Sequence, residues 1–234
     1  AIMQFTGVTP LKASHYYYKQ LSLKDGVTSA VRCILTDKQG FVWIGTKAGI
    51  SRYDGHELKK YVYSPNNPHS IPNNLIHQIA EDEMSNIWIL TDKGIARYQR
   101  QSDDFFLPTD EKGNPIIAYS TCLTKDGVLF GSKDKVYFYS YRDSSLRLLQ
   151  KLNKGNNFNI SLLSLWNEHT VLCCSRWQGL ALLDLKTGKH RLPPFDCGKE
   201  IMNMLIDSQN RIWIAPYNEG IKCFTHNGEL VKAY

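Results

Sequence analysis

TDKQGFVWIGTKAGISRY at 36–53 is repeated as EDEMSNIWILTDKGIARY at 81–98 and paraphrased as IDSQNRIWIAPYNEGIKCF at 206–224. Each copy runs from an acid through a short turn, an aliphatic-Trp-Ile triplet and a polar loop to Gly-Ile and an aromatic. Trp43 and Trp88 stand 45 residues apart, as do Gly49 and Gly94. The 125 residues from Trp88 to Trp213 leave room for two weaker copies. These are TCLTKDGVLFGSKDKVYFY at 121–139, with Leu129 in the Trp position, and LSLWNEHTVLCCSRWQGLALLD at 163–184, with Leu172 there and Gly179-Leu180 in place of Gly-Ile. A period of about 40–45 residues built from short strands is the signature of a β-propeller, one four-stranded blade per copy.

The reading predicts an all-β chain of five four-stranded antiparallel blades, spanning roughly 28–63, 75–107, 117–149, 160–192 and 200–234. They make up one propeller domain over 16–234 behind a lead-in at 1–15. Within the first blade, 31–35 reads as a strand, and 41–45, apolar on both faces, as one buried between neighbouring blades. Ile50-Ser51-Arg52-Tyr53 alternates as a half-exposed third strand should. Asp54-Gly55 signals a hairpin, and Lys59 and Lys60 on the outer strand blunt an exposed edge.

Asp37, Asp82 and Asp207 each stand six residues before a tryptophan, Trp43, Trp88 and Trp213. A carboxylate repeated at equivalent places is more readily a turn residue accepting backbone N–H bonds than a metal ligand or catalytic acid. The tryptophans read as blade-to-blade packing, because their neighbours are apolar on both sides. Gly49, Gly94, Gly179 and Gly220 read as turn glycines.

The 28 Lys and Arg against 22 Asp and Glu leave a mild formal charge of +6. The basic residues are scattered, without the interleaved aromatics of a nucleic-acid surface, so none is expected to contact nucleic acid. Six cysteines occur without a CxxC pair, which argues against zinc, and five of them fall in apolar strand patterns as small buried hydrophobes. No metal and no cofactor are expected. No apolar run approaches the roughly 18 residues of a membrane span, and no signal peptide is visible.

Function is expected where the repeat varies, in loops carried on a rigid scaffold. The loops between second and third strands share a face with the long connections at 64–74, 108–115, 153–159 and 192–198. Two stand out on adjacent blades: Arg176-Trp177-Gln178 and Tyr217-Asn218-Glu219, with Lys47-Ala48 as the first-blade counterpart. An aromatic ring beside hydrogen-bonding groups suits a carbohydrate, but the same residue types suit a protein interface. Trp177 as a simple cover for the blade is a third reading. All three stand open.

ILTDKQGFVWIGTKAGISRYDG at 34–55 resembles the two-component regulator propeller repeat, D-x-x-G-x-x-W-I-G-T-x-x-G-[LI]-x-R-[YF]. YYYKQLSLKDGVTSAV at 16–31 resembles the stretch before that family's first blade. The match is good at 79–98 and 204–224, and only in outline at 121–139 and 163–184. The resemblance implies the periplasmic part of a hybrid two-component histidine kinase. It implies detection of oligosaccharides and control of polysaccharide-utilisation genes. It also implies further propeller and immunoglobulin-like domains, seven-bladed rings, a homodimer in the full-length protein, and membrane attachment through parts beyond residue 234. On that basis the chain is expected to be a piece of a longer sensor, with strand Tyr16–Leu21 completing a final blade elsewhere in the ring. An open ring would leave edges to pair with a second copy.

A propeller lyase or glycosidase is the alternative. Glycoside hydrolysis uses two facing carboxylates, and the loop-face candidates Asp92, Asp134, Glu200 and Glu219 are spread over different blades. An intracellular WD40 scaffold is disfavoured, since its Trp-Asp dipeptide is missing and Gly-His occurs only once, at Gly55-His56.

Overall fold

The computed structural model describes residues 29–152, 158–198 and 200–234. The lead-in at 1–15, the strand expected at Tyr16–Leu21 and most of the 153–159 connection lie outside them.

Twenty strands form five four-stranded antiparallel sheets, each with its strands in simple chain order. The first sheet is β1 Val31–Thr36, β2 Val42–Thr46, β3 Gly49–Tyr53 and β4 Leu58–Tyr61. The second is β5 Ile76–Glu81, β6 Ile87–Thr91, β7 Gly94–Gln99 and β8 Asp104–Phe106. The third is β9 Ser120–Thr124, β10 Gly127–Ser132, β11 Lys135–Ser140 and β12 Leu146–Lys151. The fourth is β13 Ile160–Asn167, β14 Thr170–Ser175, β15 Gly179–Asp184 and β16 His190–Arg191. The fifth is β17 Ile201–Ile206, β18 Ile212–Pro216, β19 Lys222–Phe224 and β20 Leu230–Ala233. These are the blades of a β-propeller. First strands pack on one another around the inside, β1 on β5, β9 on β13 and β13 on β17.

A four-stranded sheet cannot bury two faces alone, so the core is a series of seams between blades. Trp43 and Ile50 meet Ile76, Ile89 and Tyr98 in the first seam. Trp88 and Leu90 meet Val128, Phe130 and Tyr139 in the second. Leu129 and Val136 meet Ile160, Val171 and Leu183 in the third, and Leu172 and Leu182 meet Ile201, Ile212 and Phe224 in the fourth. The second strands of the first four blades are therefore buried on both faces, β6 along its whole length, whereas β18 of the fifth blade is half-buried on one face.

The third strand is more deeply placed than its alternation implies. Ser51 is buried with Ile50, because both faces of β3 lie in seams. Seam packing also explains a small residue in the repeat. A Cβ on Gly45 would sit 2.5 Å from Cys33 Sγ and 2.8 Å from Ile76 Cγ2, so its absence lets the next blade approach. Gly49 opens β3 at φ +112°, a backbone that side chains disfavour, with the Tyr61 carbonyl 2.5 Å from where its Cβ would be.

Candidate functional site

The turn acids hold two things at once. Asp37 accepts the amides of Gln39 at 3.0 Å and Phe41 at 2.9 Å through Oδ1, while Oδ2 accepts the Trp43 indole N–H at 3.0 Å. Asp82 repeats this with Asn86 and Trp88, at 2.8 and 2.7 Å. Asp207 does so with Gln209, Arg211 and Trp213. Burial would raise the Asp37 carboxyl, but the Trp43 N–H, the Phe41 amide and Arg100 outweigh it and hold the group below the usual carboxylate range. The Trp213 N–H and the Arg211 contacts likewise hold Asp207 low. The two copies with Leu129 and Leu172 have no indole to satisfy, and no aspartate six residues upstream.

The Arg-aromatic end of the repeat spans the seam. Arg52 donates to the Tyr98 hydroxyl of the next blade. Arg97 donates to Tyr139 of the blade after, at 2.8 Å. Each tryptophan packs edge-on against the same tyrosine, Trp43 on Tyr98 at 4.8 Å and Trp88 on Tyr139 at 4.7 Å between ring centres. Trp213 stands apart: it is half-buried, and its ring stacks on Tyr234 within its own sheet. In the first two seams these residues join neighbouring blades.

Two loops come together on the opposite ends of the sheets. The connection before β17 threads between them: Ile201 N donates to the Arg176 carbonyl at 2.9 Å, and Tyr217 N donates to the Glu200 carbonyl at 2.7 Å. The loops of the fourth and fifth blades are thus stitched to one short segment. Asn218 turns in the left-handed region at φ 59° and Gly220 at φ 78°. The aromatic rings point outward, Trp177 61% and Tyr217 53% exposed. The Arg176 guanidinium lies 5.0 Å from the Trp177 ring centre. Gln178, Asn218 and Glu219 are exposed beside them, with Lys222 paired to Glu219. Lys47 is exposed on the first blade, and no side-chain contact among the described residues joins it to the others.

The same face carries a second grouping that the sequence did not single out. His77 Nε2 lies 2.5 Å from Asp92 Oδ1, and its ring meets Tyr119 at 5.4 Å. Asp92 stood out in the sequence only as a loop carboxylate. Its partner is supplied by strand pairing, with Ile76 opposite Thr91 beside it. Among the described residues no group of three or more His, Cys, Asp or Glu is placed to hold a metal ion.

Residues 25–48 match the family model described as the two component regulator propeller. The chain carries a two-component regulator propeller repeat. Over 59 residues it is 37% identical to histidine kinase P4 of Formosa agariphila, a stretch that is 25% of this chain and 4% of that protein. The propeller superposes on the extracellular domain of the hybrid two-component system BT3049 from B. thetaiotaomicron with a TM-score of 0.73, at 20% identity over 89% of this chain. It superposes on that of BT4673 from the same organism at 0.68, with 21% identity over 88% of this chain. At these identities the likeness is one of fold. The chain spans 30% and 28% of the length of those two domains.

Proposed function

We propose that this propeller belongs to the periplasmic sensor region of a hybrid two-component histidine kinase of the inner membrane. In this reading it detects an oligosaccharide and regulates polysaccharide-utilisation genes. The regulator repeat at 25–48 and the blade architecture shared with extracellular sensor domains support the class. One observation carries the ligand reading: Glu200 and Ile201 hydrogen-bond to the loops of two adjacent blades, with Trp177 and Tyr217 exposed among Arg176, Gln178, Asn218 and Glu219. Flat rings beside amides and charges provide stacking for a sugar face and bonds for its hydroxyls.

The chain itself is proposed to be non-catalytic. Three of the four carboxylates that an enzyme would recruit are engaged within their own blade: Asp92 by the His77 ring, Asp134 by Lys151 and Glu219 by Lys222. Signalling would follow from ligand favouring one arrangement of a sensor dimer, built with the further propeller and immunoglobulin-like domains, over another.

The test is calorimetry of an oligosaccharide panel on the complete periplasmic region. Trp177→Ala and Tyr217→Ala should each abolish binding of whichever oligosaccharide the intact region takes up. Unchanged affinity would remove the site, and product formation from the panel would replace the sensor by an enzyme.

A further inference from the structure

The seams are not equivalent. Strand register aligns them residue by residue. The first seam is filled by Trp43 and closed at the turn face by Arg100, 3.1 Å from Asp37 and 3.8 Å from Glu81. In the second, Trp88 fills the same place and Tyr141 stands at the Arg100 position, its phenol pushed up by burial and by the neighbouring Asp82 charge. In the fourth, the acid is replaced by Trp166 and the arginine by His226, and the two rings lie 4.2 Å apart.

The third seam has none of these. Leu129 stands where Trp43 and Trp88 do, Leu185 where Arg100 does and Leu165 where Glu81 does. A cavity of about 620 Å³ opens there, walled by Leu129, Phe138, Leu149, Leu165 and Leu185 and ended by Trp166. It lies among the β9–β10, β13–β14 and β17–β18 turns, on the face away from Trp177 and Tyr217. Its volume falls within the usual range of small-molecule sites.

The rim carries two cations, Lys125 and Arg147, and two anions, Asp126 and Glu168. Among the described residues none of the four has an ion pair or a side-chain hydrogen bond; Arg147 only rests over the Phe138 ring, 5.8 Å from its centre. His226 also lines this cavity, and its Nδ1 is buried without a hydrogen-bond partner. An apolar floor where two other seams hold an indole, ringed by unpaired charges of both signs, matches one ligand chemistry: an aromatic ring carrying both an ammonium and a carboxylate.

We propose that the third seam binds an aromatic amino acid, its ring beside Leu129, its carboxylate toward Arg147 and Lys125, and its ammonium toward Asp126 and Glu168. A leucine-walled floor disfavours a sugar, whose edges are hydroxyls needing partners throughout. The site is independent of the loop surface proposed above for oligosaccharide.

The experiment is calorimetry of the 234-residue chain with L-tryptophan, L-phenylalanine, indole and cellobiose. L-tryptophan should bind saturably and cellobiose should not. Arg147→Ala, on the exposed rim, should weaken L-tryptophan by about tenfold, the effect of one lost charge-assisted bond, while leaving indole unchanged. Leu129→Trp should fill the cavity and abolish both, whereas Trp177→Ala should change neither. No saturable binding of either amino acid, equal affinity in Arg147→Ala, or displacement of L-tryptophan by cellobiose would each overturn the proposal. If Leu129→Trp does not fold, the Arg147→Ala comparison decides alone.

Discussion

The indole N–H of Trp88 donates to the Asp82 carboxylate at 2.7 Å, with both residues buried and the tryptophan fully enclosed. The acid and the ring form a single unit, made within one blade to fill a seam shared with the next. Asp82→Ala leaves a buried N–H without an acceptor and should cost about 1–3 kcal/mol. Once Trp88→Leu is in place, the acid has less left to satisfy. In urea denaturation, the double variant should therefore cost less than the sum of the singles by about 0.5–3 kcal/mol. Strict additivity would mean the bond contributes nothing.

Acid should unlatch the first seam. Burial alone would raise Asp103, but Lys59, the Tyr61 and Tyr98 hydroxyls and Arg52 outweigh it and hold the carboxyl at about 2. The unfolded value is about 3.9. A lowered folded value contributes stability that is fully present above about pH 4 and is lost as pH falls toward 2. The urea midpoint should drop across that window, and the drop should shrink in Asp103→Asn. An equal slope in both proteins would exclude Asp103 as its source.

Gly45→Ala tests how closely the blades approach. The added methyl would lie 2.5 Å from Cys33 Sγ and 2.8 Å from Ile76 Cγ2. Overpacking of this kind should cost about 1–3 kcal/mol. A stability equal to wild type would show that the first seam yields freely.

The six cysteines are free thiols. Burial pushes Cys122 and Cys174 up to about 12, so little thiolate exists at neutral pH. Iodoacetamide at pH 8 should leave both unmodified in the folded protein and label both in urea, read by peptide mass spectrometry. Labelling at the folded-state rate of an exposed thiol would contradict the seam packing.

The exposed and buried tryptophans should part company. Trp177→Ala should change stability by no more than about 0.5 kcal/mol, whereas Trp88→Ala should cost about 3–5 kcal/mol. Thermal melts of the two variants make the comparison, and a large loss for Trp177→Ala would return that ring to a structural role.

Much of the fold was legible because each blade is local. A four-stranded antiparallel sheet with short hairpins writes its strands, turns and spacing into one stretch of about 40 residues. The Asp–Trp bond was legible too, in a signal the sequence reading underused. The six-residue spacing is constant in three copies, and acid and tryptophan vanish together at Leu129 and Leu172. The burial of Ser51 was not legible, since alternation along β3 says nothing of a second sheet covering its outer face.

The sequence by itself determined an all-β propeller, five blades and the residues each blade needs. Only the tertiary structure decided who meets whom across the seams: Arg52 with Tyr98, Arg97 with Tyr139, Trp166 with His226, and a cavity beside Leu129. Strand patterns and turns are written by neighbours a few residues apart. Seam partners lie 42 to 60 residues away and meet only when one sheet stacks on the next.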